Sequence, residues 1–216
     1  MSERHIPEAT VARLPRYLQV LLDAVDAGTA TLSSDDLAAA AGLTSAKVRK
    51  DLSFLGSHGT RGVGYEVHQL AAELSHALGL TDDRPVVIIG IGNLGRALAS
   101  YGGFNRRGFR VVALVDADPG KVGAQVGELV VEPADRLAAI IAERGIGIAV
   151  LATPVSASQA VADAAVTAGA TAILNFAPTH LTVPEHVTVR TVDLSTELQI
   201  LSFYERGLTD LRAAAG

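Results

Sequence analysis

The chain has 216 residues, a formal net charge of −5, a 49% hydrophobic composition and no cysteine. That is enough apolar material for one large or two small globular domains, and the missing thiols exclude disulfides, thiolate metal sites, cysteine-ligated iron–sulfur clusters and thiol redox switches. No apolar run reaches the roughly 18 residues a bilayer span needs, and the opening MSERHIPEAT lacks the basic-then-apolar layout of a signal peptide, so a cytoplasmic location without a membrane partner is expected.

Residues 1–80 read as a helical module with a turn-rich segment near its end. Ala12, Leu14, Tyr17, Leu18, Leu21, Leu22 and Val25 recur at helical spacing after Pro7, which predicts one amphipathic helix ending near Gly28. Residues 33–36 offer N-caps for a short helix through residues 37–41, stopped by Gly42. Thr44 or Ser45 can cap a third helix over residues 46–55. Short helix, glycine-containing turn, second helix is the helix-turn-helix arrangement, whose second helix enters the DNA major groove.

On that second helix Val48, Leu52 and Leu55 share one face, and Lys47, Arg49 and Lys50 spread over the opposite side. From Ser45 to Arg61 four basic residues stand against Asp51 alone, within an otherwise acidic segment. Residues 57–67, with Gly59, Gly62 and Gly64 and with Arg61 at the tip, have the pattern of a β-hairpin wing. The candidate DNA contacts are Ser45, Lys47, Arg49, Lys50, Arg61, Gly62 and Tyr65; phosphate contact is the commoner fate of Lys and Arg, and base reading falls to a subset. Residues 68–79 predict another helix. His68 and His76, eight apart on it, are too distant to share a metal, and no metal site is expected. Residues 81–85 form the link to the next domain.

Residues 81–194 alternate strand and helix. The stretch VVIIGIGNLG (86–95) is an apolar strand running into Gly90, Ile91, Gly92, Asn93, Leu94 and Gly95, followed by a helix. Gly90 permits the sharp turn, Gly92 lets a pyrophosphate approach the backbone, and Gly95 lets helix and strand pack closely. A second strand over residues 110–115 delivers Asp116 to its end, 21 residues beyond Gly95, where a carboxylate accepts from the adenosine ribose and disfavours an added 2′-phosphate. Ala117 and Asp118 supply no arginine to reverse that preference for NAD; Lys121 is the nearest cation.

Further strands are expected at 126–131, 146–151, 170–175 and 187–192, and helices at 133–143 and 156–168. This predicts a parallel sheet with helices on both faces. Ligands of such sheets sit at the carboxyl ends of the strands, so Thr153, Pro154, Asn175, Phe176, Ala177, Pro178 and Asp193 join the glycine turn on one edge. Residues 195–216 form a final helix with Leu198, Ile200, Leu201, Phe203, Tyr204, Leu208 and Leu211, apolar enough to need a partner; a homodimer contact suits a DNA reader with two half-sites.

A dinucleotide fold often carries a dehydrogenase, which needs a proton donor near the nicotinamide. Only His180 and Asp193 offer themselves, no Lys/His/Asp constellation appears, and no room remains for a substrate domain, so a sensor is expected rather than an enzyme. A small NAD-dependent oxidoreductase with an accessory helical domain is the alternative.

The blocks IPEATVARLPRYL, VRKDLSFLG, GTRGVGY, VIIGIGNLG, ILNFAP and VDL, in this order over essentially the whole chain, closely resemble the Rex family of redox-sensing transcriptional repressors. The resemblance implies a homodimer whose winged-helix heads bind a pseudopalindromic operator, Rossmann domains that bind NAD(H), and a C-terminal helix exchanged between subunits. It further implies that NADH releases the DNA, that NAD+ competes without release, and that Tyr101 and the residues around Phe176 and Asp193 lie near the nicotinamide. The sequence departs from the family in one place: Gln19 stands where an arginine often serves an inter-domain ion pair with the aspartate matching Asp193, which leaves Gln19 or Arg16 as substitute partners.

Overall fold

The computed structural model describes residues 6–56, 59–60, 62–104 and 107–214, with side chains through residue 206. Ser57, His58 and Arg61 of the expected wing, and the side chains of Leu208 and Leu211, lie outside the described residues. The chain divides into two compact units between Asp82 and Asp83.

In the first unit the expected single N-terminal helix is two, α1 (Glu8–Val11) and α2 (Leu14–Asp26). Pro15, in the first turn of α2, has no N–H to return to the Val11 carbonyl, so the helix restarts there instead of continuing. After β1 (Thr31–Leu32) come α3 (Ser34–Ala41) and α4 (Ser45–Phe54), capped by the Ser33 and Thr44 side chains and separated by Gly42 in a left-handed conformation. The short strand β2 (Tyr65–Glu66) pairs antiparallel with β1 and leads straight into α5 (Val67–Ala77). Leu14, Tyr17 and Leu21 of α2 pack with Leu37 of α3, Val48 and Leu52 of α4, and Val67, Leu70 and Leu74 of α5 into one core. The result is a winged helix-turn-helix with α4 as its second helix.

The second unit is built on seven strands: β3 (Arg84–Ile89), β4 (Phe109–Asp116), β5 (Gln125–Val126), β6 (Leu129–Pro133), β7 (Ile148–Leu151), β8 (Ala172–Asn175) and β9 (Thr188–Thr191). Their spatial order is β5-β6-β4-β3-β7-β8-β9. All neighbours pair parallel except β5, which folds back antiparallel on β6. Residues 126–131, read as one strand, are therefore the two arms of a hairpin turning at Gly127. Without β5 the order is that of a dinucleotide fold, reversing direction between β3 and β7.

α6 (Asn93–Ala99) lies against one face of the sheet, with Val86, Ile88, Leu114 and Val150 beneath it. α7 (Leu137–Glu143) and α8 (Val155–Thr167) cover the other face over Val87, Ile89, Val115 and Leu151. Alternate residues of β3 thus feed two cores, which is why its sequence is continuously apolar. The chain ends in α9 (Leu194–Ala214).

Candidate functional site

Two regions gather the residues singled out above, one in each unit. In the head, Lys47, Arg49 and Lys50 project from α4 into solvent, while Val48 and Leu52 face the core. Ser45 opens the helix, partly buried. Arg49 Nη1 donates to Ser34 Oγ at 2.8 Å, tying α4 to the start of α3 along the wall of a cavity of about 540 Å3 that Thr60 and Gly62 also line. Gly62 stands in the exposed turn closed by paired backbone hydrogen bonds between Thr60 and Gly64.

Tyr65 departs from expectation. Pairing opposite Leu32 turns it inward, where it is 7% exposed and belongs to the core, and burial pushes its hydroxyl pKa up. Its part is to fasten the wing to the core.

Sequence reading missed Asp51. On α4 it occupies the apolar stripe of Val48, Leu52 and Leu55, and it is 1% exposed. Its two carboxylate oxygens accept from Arg13 Nε at 2.6 Å, Arg13 Nη2 at 2.7 Å, Tyr17 Oη at 2.7 Å and Thr10 Oγ1 at 2.9 Å. A side-on guanidinium and two hydroxyls fill the acceptor sites of a carboxylate. Burial pushes the Asp51 pKa up, but the hydrogen bonds from Arg13, Tyr17 and Thr10 outweigh it and hold the group below the usual carboxylate range. Burial and the bond to Asp51 raise the Tyr17 pKa to about 12. The outward face of α4 is left with its cations alone. Position 51 in the apolar stripe was the available signal.

In the second unit the carboxyl edge of the sheet collects Gly90 after β3, Asp116 ending β4, Thr153 and Pro154 after β7, Asn175 and Phe176 at β8, and Asp193 after β9. Cross-strand backbone bonds keep these ends level: Gly90 N–H to Val115, Ala152 N–H to Ile89, Phe176 N–H to Leu151 and Val192 N–H to Asn175. Gly90 takes φ +94°, and a Cβ there would lie 2.7 Å from the Ala152 carbonyl oxygen; a Cβ on Gly95 would overlap the Gly90 carbonyl oxygen. Both glycines are required by close backbone approach.

Gly92 looks onto open space and, as N-cap of α6, brings no side chain to the first-turn N–H groups. Asn93 and Leu94 are exposed beside it, and Ile91 sends its side chain into the core. Tyr101 does not share this edge. It follows the C-terminal end of α6, roughly 10 Å of helix beyond the glycine turn, exposed and edge-to-face with Phe104 at 5.3 Å.

Asp116 is 6% exposed, and its carboxylate is already engaged: Oδ2 accepts from Ile91 N–H at 2.6 Å and Lys121 Nζ at 3.0 Å, and Oδ1 from Asp118 N–H at 2.8 Å. Burial raises its pKa, and the backbone donors of Asp118 and Ile91 with the Lys121 ammonium bring it below the usual range. Asn175 is fully buried and gives its amide to the loop beyond β8, donating to the Ala177 and Thr179 carbonyls and accepting from Ala177 N–H, so that it shapes the loop presenting half-buried Phe176 and exposed Pro178; Ala177 itself is buried.

Gln159 of α8, not foreseen, holds the same loop by accepting from Thr182 N–H and donating to the Thr182 carbonyl, both at 2.9 Å. Asp193 caps α9, accepting from Ser195 N–H and the Thr196 hydroxyl, which lower its pKa. His180 is exposed. The glycine cradle at the strand-order reversal, with uncapped N–H groups over open space and a carboxylate at the next strand end, fits a dinucleotide.

A winged-helix head and a doubly wound dinucleotide fold in one chain define the class of DNA-binding proteins that carry their own ligand-binding domain. Residues 5–53 match a family model described as "Putative DNA-binding protein N-terminus", and residues 81–179 match "CoA binding domain". The chain is 59% identical over 212 residues to the redox-sensing transcriptional repressor Rex of Streptomyces coelicolor, covering 98% of this chain and 82% of that protein. It is 46% identical to the Rex protein of Pelotomaculum thermopropionicum, covering 94% and 95%.

Among solved structures, RSP, a Rex-family repressor, superposes with TM-score 0.89 at 32% identity over 98% of this chain and 99% of its own. The RSP complex with β-NAD+ and operator DNA gives 0.88 at 33% identity over 97% and 98%, and the complex with β-NADH gives 0.85 at 33% over 98% and 99%. The chain belongs to the Rex family of redox-sensing transcriptional repressors.

Proposed function

We propose that this chain represses transcription as a homodimer on a pseudopalindromic operator and leaves the DNA when NADH occupies its second unit, NAD+ competing for the same site without causing release. The observation that carries the reading is the pairing, in one chain, of an outward cationic face on α4 with a glycine cradle at the β3/β7 reversal. RSP, of the same fold, is known with NADH and with NAD+ plus operator DNA.

Residues 1–80 bind DNA through Ser45, Lys47, Arg49, Lys50, Arg61 and Gly62. Residues 81–194 hold the cofactor at the glycine turn, Asp116, Thr153, Pro154 and Phe176–Pro178, with Asn175 shaping that loop and Asp193 at its nicotinamide end; Tyr101, beyond the far end of α6, stands outside this set. Residues 195–216 dimerise. The last assignment rests on Leu198, Leu201, Phe203 and Tyr204 of α9, all exposed, Phe203 to 75%; a second copy burying that face gains roughly 2 kcal/mol for each large side chain covered. Among the described residues no helix is long and apolar enough to cross a membrane, and a repressor working on DNA belongs in the cytoplasm.

The chain acts without catalysis, as a switch biased by differential affinity. Going from 1:99 to 99:1 takes roughly 5.5 kcal/mol, shared between two sites per dimer. Titrating NADH into a protein–operator mobility shift tests this: release with saturation is expected, retention of DNA at saturating NADH would sink the reading, and steady NADH turnover with a small carbonyl would revive the oxidoreductase.

A further inference from the structure

Lys121 has no place in the reading above, yet it stands at the mouth of the cofactor edge. The turn after β4 fixes it there: Asp118 accepts Gly120 N–H at 2.9 Å through its carboxylate and Lys121 N–H at 3.0 Å through its backbone carbonyl. Lys121 Nζ then lies 3.0 Å from Asp116 Oδ2 and 4.0 Å from Asp118 Oδ2, with the Lys121 side chain 33% exposed.

A free carboxylate at a strand end excludes a 2′-phosphate by repulsion. The Asp116 carboxylate is not free. It is buried and paired with an ammonium, so its own repulsion is largely offset. Two carboxylates and one ammonium leave a local charge of about −1, and the ammonium has the chemistry to hold a ribose phosphate.

We propose that Lys121 is a masked 2′-phosphate ligand, and that the choice between NAD(H) and NADP(H) resides in the Asp116–Lys121 pair rather than in Asp116 alone. Asp116 keeps NADP(H) out by occupying the cation that would bind it. The proposal rests on the dinucleotide reading, and it ranks the variants by local charge. Removing the carboxylate frees an ammonium, removing the lysine leaves two bare carboxylates, and removing both returns the region close to its starting charge. Relative affinity for the phosphorylated cofactor then runs Asp116→Ser above wild type, with the double variant near wild type and Lys121→Ala below.

The test is a cycle of wild type, Asp116→Ser, Lys121→Ala and the double variant, with NADH and NADPH binding measured by fluorescence on the full-length chain. Serine retains an oxygen for the Ile91 N–H. Asp116→Ser is expected to shift the NADPH:NADH affinity ratio at least tenfold toward NADPH, and adding Lys121→Ala to abolish most of that shift. A shift that survives loss of the lysine overturns the proposal and returns specificity to Asp116 alone. Should Asp116→Ser bind neither cofactor, Lys121→Ala alone decides: NADP+ must lose its power to displace NADH by a larger factor than NAD+ does, and an equal change for both overturns it. A wild-type chain that binds no NADH defeats the underlying dinucleotide reading instead, which keeps the two failures apart.

Discussion

Among the described residues each unit holds one buried, hydrogen-bonded aspartate, and the two are used differently. Asp51 in the head takes all its donors from side chains of another part of the unit, the α1–α2 corner. Asp116 takes two of three from backbone N–H groups, including that of Ile91 in the glycine turn, and the third from a lysine five residues on. The first fixes one helix against another, so its loss tilts an element. The second shapes a loop and restrains a cation, so its loss alters a site while the sheet stands. Side-chain donors from other helices make Asp51 architectural; backbone donors from two loops make Asp116 a device for loop geometry.

Removing Asp51 is the sharpest way to break that contrast. Asp51→Asn leaves the Arg13 guanidinium without its counter-charge and is expected to destabilise the head by roughly 3 kcal/mol. Operator affinity should drop to the level of non-operator DNA while NADH affinity stays unchanged, read by urea unfolding, mobility shift and fluorescence titration. Unchanged operator discrimination would separate the clamp from DNA reading.

Acid probes both aspartates at once. Each has a folded pKa below its unfolded value, so each contributes stability fully present above the unfolded carboxylate range, about pH 4, and lost as pH falls through the folded pKa. Urea midpoints of both units should hold from neutral pH to about pH 5 and then fall; in Asp51→Asn the head's share of that fall should shrink.

Tyr17→Phe removes one of the four bonds to Asp51 and is expected to cost about 1 kcal/mol, again in the head alone. Smallest in stability is Lys50→Ala on the exposed face of α4: no measurable change in unfolding, a fall in DNA affinity, and a salt-dependence slope reduced by about one if Lys50 meets phosphate. Loss of discrimination without a change of slope would assign it to a base.

The sheet was legible because its strands are apolar runs punctuated by glycine and separated by helix-length segments, and the switch point follows from connection rules once β3 and β7 are placed. β1 was not, since Thr31 and Leu32 carry no periodicity and become a strand only through Tyr65 and Glu66, far along the chain. The corner between α1 and α2 escaped because the apolar spacing continues across it and only Pro15 marks the restart. Residue types along the cofactor edge were readable; their occupancy was not. Asn175 and Asp116 have the chemistry of ligand contacts, yet the first spends its amide on its own loop and the second is engaged by three donors, facts that depend on distances no spacing encodes.

The first turns of α8 join two stretches of the cofactor edge. The Ser158 hydroxyl donates to the Pro154 carbonyl at 2.9 Å and lies 3.3 Å from the Thr153 hydroxyl, and one residue on, the Gln159 amide grips both backbone groups of Thr182. The loop after β7 and the loop after β8 are thus both anchored to adjacent residues of α8, so one helix sets the spacing between Thr153–Pro154 and Thr182.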